Sequence, residues 1–341
     1  MLPDTSRTKP FSSRTQISFK DLAIDINKEI ERISSFIRET LVYELKKRGA
    51  IIALSGGIDS SVTAALCVKA LGSDRVTGLL MPESHSSSDS SRLAQILGNK
   101  LGIQLIEKDI TDILGATGCY TFQDEAIKAL IPQYEHGYPF KIVLPFSNKN
   151  EKFRIFSLVV QAPDSTVYKE RMTHDTYLKL VAATNFKQRV RKMMEYYYAD
   201  RFNYAVAGSP NRLEYDQGFF VKGGDGSADI KPIAHLYKSQ VYALAESLDI
   251  PYEIRSRRPT TDTYPMEQSQ EEFYFSLPYE KMDICLYAKN CGHPPESVCA
   301  VTDLTPAQAQ AVFNDIETKR KTTRYQHLSP VLIEKIPGIG A

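Results

Sequence analysis

Ala50-Ile51-Ile52-Ala53-Leu54-Ser55-Gly56-Gly57-Ile58-Asp59-Ser60-Ser61 is the stretch that decides the fold. Its first five residues are apolar without alternation, the pattern of a short strand buried on both faces, as in parallel sheets. Two glycines follow, then a helical stretch from Ser60 to about Leu71, closed by Gly72. A buried strand that passes through a glycine turn into a helix is the first half of a βαβ unit. The turn carries its own chemistry. Gly56 and Gly57 let the backbone approach a ligand with no Cβ in the way. The N–H groups at a helix start point at such a ligand, and the helix dipole favours an anion there. Ser55, Ser60 and Ser61 add hydroxyls. The segment reads as a phosphate cradle, distinct from the G-x-x-x-x-G-K-[ST] loop in spacing and in lacking the lysine.

Asp59 is the odd residue in this cradle. A carboxylate there repels phosphate unless a cation lies between, and Mg²⁺ takes one or two carboxylates together with phosphate oxygens and water. Capping or interaction with the helix dipole is the simpler role open to the same residue.

Working outward, Ile26, Ile30, Ile33, Ile37 and Leu41 recur at steps of three and four and predict an amphipathic helix, with Gly49 as its stop. Downstream, strands are expected over 76–81 and 103–106, with a helix over 88–101 that ends at Gly102. Strands alternating with helices of these lengths predict an α/β fold with a doubly wound, mostly parallel sheet. The middle is less regular. Phe140 to Leu144 and Phe153 to Gln161, separated by Ser147-Asn148-Lys149-Asn150, predict a β-hairpin inside an insertion of about residues 118–176. Helical spacing returns over 177–199, a buried strand is expected at Tyr204–Ala207, and a further helix over 238–248. Thr305-Pro306 is a helix start. Residues 1–16 read as a loose arm, 17–330 as one domain and 331–341 as a tail.

Composition narrows the classes. Lys and Arg nearly balance Asp and Glu, for a net charge of +1, which argues against a protein held to nucleic acid by phosphate contacts. No run approaches the roughly 18 apolar residues needed to span a bilayer. The start, Met1-Leu2-Pro3-Asp4-Thr5-Ser6, lacks the apolar core of a signal peptide. Five unevenly spread cysteines do not form a disulfide framework, so a cytoplasmic setting is expected. Cys285, Cys291 and Cys299 with His293 lack the paired short spacings of zinc motifs and read as thiols.

The string S-G-G-x-D-S resembles the signature of the N-type ATP pyrophosphatases, which split ATP between the α and β phosphates and pass AMP to a substrate oxygen. Further motifs select within that superfamily. Asn185-Phe186-Lys187-Gln188-Arg189-Val190-Arg191-Lys192-Met193 is similar to the N-x-K-x-R-x-R-x-M stretch of the NAD synthetases. Gly208-Ser209-Pro210-Asn211-Arg212-Leu213-Glu214 resembles their G-T-x-x-x-x-E. The run from Gly218 to Pro232, with Lys222-Gly223-Gly224-Asp225-Gly226 and Asp229, resembles their G-x-x-T-K-x-G-D-G-x-x-D-x-x-P. Leu236-Tyr237-Lys238-Ser239-Gln240, Pro259-Thr260 and Gln268-Ser269-Gln270-Glu271-Glu272 follow in family order. The similarity covers about residues 20–110 and 177–330.

The resemblance implies an ammonia-dependent ligase that adenylates the nicotinate carboxylate of deamido-NAD and passes it to ammonia. It implies that Ala53, Leu54, Ser55, Gly56, Gly57, Ile58, Asp59 and Ser60 hold ATP, completed by Ser209, Lys238 and Thr260. Asp59, Ser60 and Lys238 are the implied catalytic groups, and Asp59 with Glu214 the implied Mg²⁺ ligands. Arg189, Lys222 and Asp229 are implied to hold deamido-NAD. Arg324 keeps one member of the basic pair that the family carries near its C-terminus, where Tyr325 departs from it. A homodimer is implied as well. The N-terminus leaves no room for a glutaminase domain, so ammonia is expected free or from a separate glutaminase partner. The insertion and Tyr325 keep open a relative that activates a different carboxylate.

Overall fold

The first half of the chain alternates as expected in the computed structural model, which describes residues 17–143, 156–257, 264–266, 268–275, 277–334, 336 and 338. Helix α1 (Ile26–Glu39) leads to strand β1 (Ala50–Ala53), α2 (Ile58–Leu71), β2 (Val76–Leu80), α3 (Ser88–Leu101) and β3 (Gln104–Glu107). Two short helices, α4 (Thr111–Ala116) and α5 (Cys119–Lys128), precede strands β4 (Phe140–Val143), β5 (Ser157–Gln161) and β6 (Val167–Arg171). The long helix α6 (His174–Phe202) returns the chain to β7 (Ala205–Val206). Then come α7 (Arg212–Gln217), α8 (Lys238–Ser247), α9 (Tyr252–Arg255), α10 (Tyr279–Asn290), α11 (Cys299–Thr302) and α12 (Pro306–His327).

β1 lies inside a parallel sheet of order β3-β2-β1-β7. Its side chains alternate between two cores, as the pleat requires. Ala50 and Ile52 pack with residues of α1, α2, α3 and α8, whereas Ile51 packs with residues of α4 and α6 on the other face. Covered on both faces, the strand needs an unbroken apolar run, which is why it read so clearly. The stripe of α1 is consumed in the same core, with Ile33, Ile37 and Leu41 almost fully buried.

Gly49 does not stop α1. After Glu39 the helix widens into a π-turn over Thr40–Glu44, and the left-handed residue that follows is Lys46, at φ 54°. Gly49 is needed for space instead. A Cβ there would sit 2.3 Å from the Arg75 carbonyl oxygen and 2.6 Å from the Tyr204 ring.

The expected hairpin is the antiparallel pair β4–β5, with Phe140 opposite Val160; its turn falls among residues 144–155, outside the described residues. A third strand, β6, pairs with β5 from Ser157–Arg171 to Gln161–Val167. Val167–Arg171 is mostly exposed, so it buries too little to leave an apolar signature. α5 precedes this sheet in a stretch that the residue pattern left unassigned. Cys285 is buried, Cys291 exposed and Cys299 between the two, and among the described residues no three or more His, Cys, Asp or Glu side chains gather as a metal site would need. Residues 1–16 also lie outside the described residues.

Gly49→Ala should lower unfolding free energy by about 1–3 kcal/mol, the usual cost of overpacking. Gly115→Ala, in α4 with open space around its would-be Cβ, should be neutral or stabilising by up to about 1 kcal/mol. Urea denaturation of the two variants reads both outcomes.

Candidate active site

From β1 the chain moves through α2 and α3 to β2 and β3 on one side, while α6 brings it back to β7 on the other. The order reverses between β1 and β7, and the crevice at such a point, beyond the strand ends, is where open α/β sheets bind ligands. The turn after β1 and the turn after β7 meet there.

The first turn is braced by its own hydroxyls. Ser60 Oγ donates to the Gly57 carbonyl at 3.0 Å and Ser61 Oγ to the same carbonyl at 2.8 Å. Ser55 Oγ lies 3.3 Å from Ser60 Oγ. Gly56 is left-handed, at φ 71°, and a Cβ on it would stand 2.6 Å from the Ser90 carbonyl oxygen, so the loop is wedged against α3. Gly57 is the N-cap of α2 and offers no side chain to the first-turn N–H groups. Those donors are available to an anion.

Across the crevice, Lys238 opens α8 and is almost fully buried, at 2 % exposure. Its ammonium pairs with Asp59 Oδ2. Burial disfavours the ammonium, but the carboxylates of Asp59 and Glu214 outweigh it and the Lys238 pKa rises. Asn211 Nδ2 donates to Asp59 Oδ1 at 3.2 Å, and Asn211 N donates to Glu214 Oε2 at 3.2 Å. Gln270 Nε2 donates to Glu214 Oε1 at 2.9 Å. Burial and the Asp59 charge push the Glu214 carboxyl up to about 7, with Lys238 opposing. Asp59 lies 152 positions from Asn211 and 179 from Lys238 in the sequence, and the fold makes them one cluster.

One contributor went unread. Asp283 of α10, fully buried, accepts from Lys238 N at 3.1 Å and Ser239 N at 2.7 Å, so a neighbouring helix supplies the α8 cap. Burial raises its pKa to about 6, against the hydrogen bonds from Ser239 and Lys238. A lone Asp far along the chain carries no local pattern that announces this role.

Ala53, Leu54, Ser55, Gly57, Ile58, Asp59 and Ser60 line a cavity of about 450 Å³, together with Ser209, Glu214 and Lys238. Gly56 supports it from behind, and Thr260 lies outside the described residues. Arg191, Lys192, Glu195 and Arg257 also face this cavity. Arg189, Lys222, Asp229 and Arg324 do not line it. Arg189 Nε donates to the Lys222 carbonyl at 3.4 Å. Lys222 Nζ donates to the carbonyls of Tyr325 and Leu328 at 2.8 and 3.1 Å. Asp229 accepts from Val206 N at 2.7 Å and from Tyr196 OH at 3.3 Å, which ties the 219–230 segment to β7. Arg324 is exposed on α12 beside Tyr325. All four thus stand outside the cavity lining.

The profile of the NAD synthase family matches residues 29–135 and 140–326. The NH(3)-dependent NAD(+) synthetase of Rhizobium meliloti (strain 1021) is 51 % identical over 331 residues, which cover 97 % of this chain and 99 % of the relative. That of Mesorhizobium japonicum is 51 % identical over 92 % of this chain and 99 % of the relative. Among solved structures, an NH3-dependent NAD synthetase from Campylobacter jejuni superposes with a TM-score of 0.60 at 23 % identity, covering 91 % of this chain and all of the other, a likeness of fold. A match that spans nearly the whole chain, at half identity to its relatives, makes this chain a member of the NAD synthase family.

Proposed function

We propose that the chain amidates deamido-NAD with ammonia at the expense of ATP, releasing NAD, AMP and pyrophosphate. The observation that carries this reading is the pairing of a braced phosphate loop with a buried Lys238 that faces two carboxylates, Asp59 and Glu214. The N–H groups of the loop bind the ATP phosphates while its hydroxyls hold the loop in shape, and Ser209 and Lys238 complete that site from the far side. The nicotinate carboxylate attacks the α-phosphorus and pyrophosphate leaves; ammonia then attacks the acyl carbon and AMP leaves. Positioning and charge stabilisation supply the catalysis, with Lys238 offsetting negative charge that develops on the phosphates.

Asp59 and Glu214 fit Mg²⁺. Both offer only oxygen donors, and burial first, with the Asp59 charge second, raises the Glu214 pKa, a cost that a bound cation would offset. Bound there, Mg²⁺ would neutralise the departing pyrophosphate. The outer residues, Arg189, Lys222, Asp229 and Arg324, suit an anionic dinucleotide, with forks and point charges for phosphates and a carboxylate acceptor for a ribose.

A homodimer, cytoplasmic and supplied with free ammonia or by a separate glutaminase, goes with this reading. The α1 stripe is already used inside the chain, so the apolar surface for such a contact is better sought on α6, where Met193 and Tyr197 are each 54 % exposed beside Arg189. Among the described residues no helix is long and apolar enough to cross a membrane.

Incubation with ATP, Mg²⁺, ammonium and deamido-NAD should yield NAD and AMP by mass; ATP binding with no NAD formed would point to another carboxylate. Asp59→Asn should cut turnover by about a hundredfold or more while the thermal transition shows a folded protein. Near-normal rates in that variant at low Mg²⁺ would remove the metal role. Lys222→Ala should lower kcat/KM for deamido-NAD by roughly ten- to a hundredfold, with the ATP term much less affected, as for one lost charged hydrogen bond. Sedimentation should give a dimer for the native chain and a smaller species for a Met193→Asp, Tyr197→Asp double variant.

A further inference from the structure

A buried charged network stands behind the cavity and has no role in the chemistry above. Lys187, on the inner face of α6, has no exposed surface. Its ammonium donates to Glu83 Oε1 at 3.0 Å and to His85 Nδ1 at 2.9 Å. Glu83 Oε2 accepts from His85 N at 3.1 Å and from Tyr120 OH of α5 at 2.9 Å. Tyr120 and Phe140 present their rings to His85 at 5.3 and 6.1 Å. An ammonium only donates, so Nδ1 of His85 is the acceptor and its proton sits on Nε2. Burial and the Lys187 charge bring His85 down to about 4, which keeps the ring neutral at ordinary pH. Burial alone would raise Glu83, but the Lys187 charge and the hydrogen bonds from His85 N and the Lys187 ammonium outweigh it and favour the carboxylate.

A buried pair of this kind is an expensive way to fill space, and apolar residues of similar volume often do as well. What the charges supply is a fixed geometry for residues 82–87. Glu83 N donates to Ser86 Oγ at 3.1 Å, and Ser86 N returns to the Glu83 carbonyl at 2.8 Å. Ser87 then caps α3, and Ser90 N reaches the Ser87 carbonyl at 3.1 Å. The Ser90 carbonyl is the group against which Gly56 of the phosphate loop is wedged. Ser86 and Ser90 both line the cavity. A second tie runs parallel: Arg191 Nε, one turn along α6, donates to the Met81 carbonyl at 3.4 Å.

We propose that Lys187 is a positioning residue for ATP, holding the 82–87 turn through Glu83 and His85 and thereby the α3 buttress of the phosphate loop. The proposal rests on the reading of that loop as the ATP site, and concerns ATP alone rather than the acyl substrate. The test is calorimetric binding of ATP with Mg²⁺ to the native chain, Lys187→Met, Glu83→Gln and the Lys187→Met, Glu83→Gln pair, followed by KM for each substrate. Lys187→Met is expected to weaken ATP binding about tenfold, with kcat and the KM for deamido-NAD within about twofold of native. Glu83→Gln is expected to move ATP binding the same way by less, and it decides the matter if neither Lys187 variant folds. ATP affinity within about twofold of native in every folded variant would overturn the proposal, as would equal losses for both substrates, the mark of a general fold support. A native chain that binds no ATP would fail the parent reading and this one together; a native chain that binds ATP and makes no NAD fails only the choice of acyl substrate.

Discussion

A lysine ammonium buried at the end of a parallel sheet has to be answered by negative charge, and this necessity organises the molecule. Lys238 is answered by Asp59, from the first turn of α2, and by the more distant Glu214. Breaking a buried pair of this kind by removing one partner commonly costs about 3–5 kcal/mol, because the other charge is stranded. The contact therefore fixes α8 against α2 and holds the two sides of the crevice in one register. Asp283 extends the constraint, since the carboxylate that caps α8 belongs to α10 and so brings the C-terminal helices into the same arrangement.

The same cluster sets the charge of the crevice. Burial first, and the Asp59 charge second, raise the Glu214 pKa against the opposing Lys238 ammonium. A cation bound beside Glu214 would favour the charged form of that carboxyl. The loop opposite is rigid before any ligand comes, with its hydroxyls spent on the Gly57 carbonyl and on one another. Preformed donors cost little reorganisation when charge develops, and such donors are what phosphoryl chemistry needs.

The outer residues are arranged differently. Lys222 is committed to the carbonyls at the end of α12, and Asp229 to the backbone of β7. A dinucleotide bound by these residues has to replace or share contacts that the chain now makes with itself. The loop after β1 is thus prebuilt, whereas Lys222 and Asp229 lie on the 219–230 segment, Arg189 on α6 and Arg324 on α12, so the residues read as recognising the second substrate come from three separate elements.

Much of this was legible in the residues alone. A strand buried on both faces must be apolar throughout, so β1, β2 and the helices around them announced themselves, and the glycine turn between β1 and α2 read as an anion cradle. Elements that bury little, such as β6, left no periodic trace, and the space needed at Gly49 was invisible because the atoms that exclude a Cβ, the Arg75 carbonyl and the Tyr204 ring, come from elsewhere in the chain. The resemblance to a family named Asp59, Glu214 and Lys238, but their union depends on strands β1 and β7 lying side by side, which no local spacing states. Asp283, Glu83 and His85 had no local signature, and the motif that contains Lys187 did not announce its buried partners. Sequence determines what each segment can bury and which turns admit an anion, because those depend on neighbours along the chain. Which distant charges meet, and how far burial shifts them, depends on neighbours in space, and that only the tertiary structure decided.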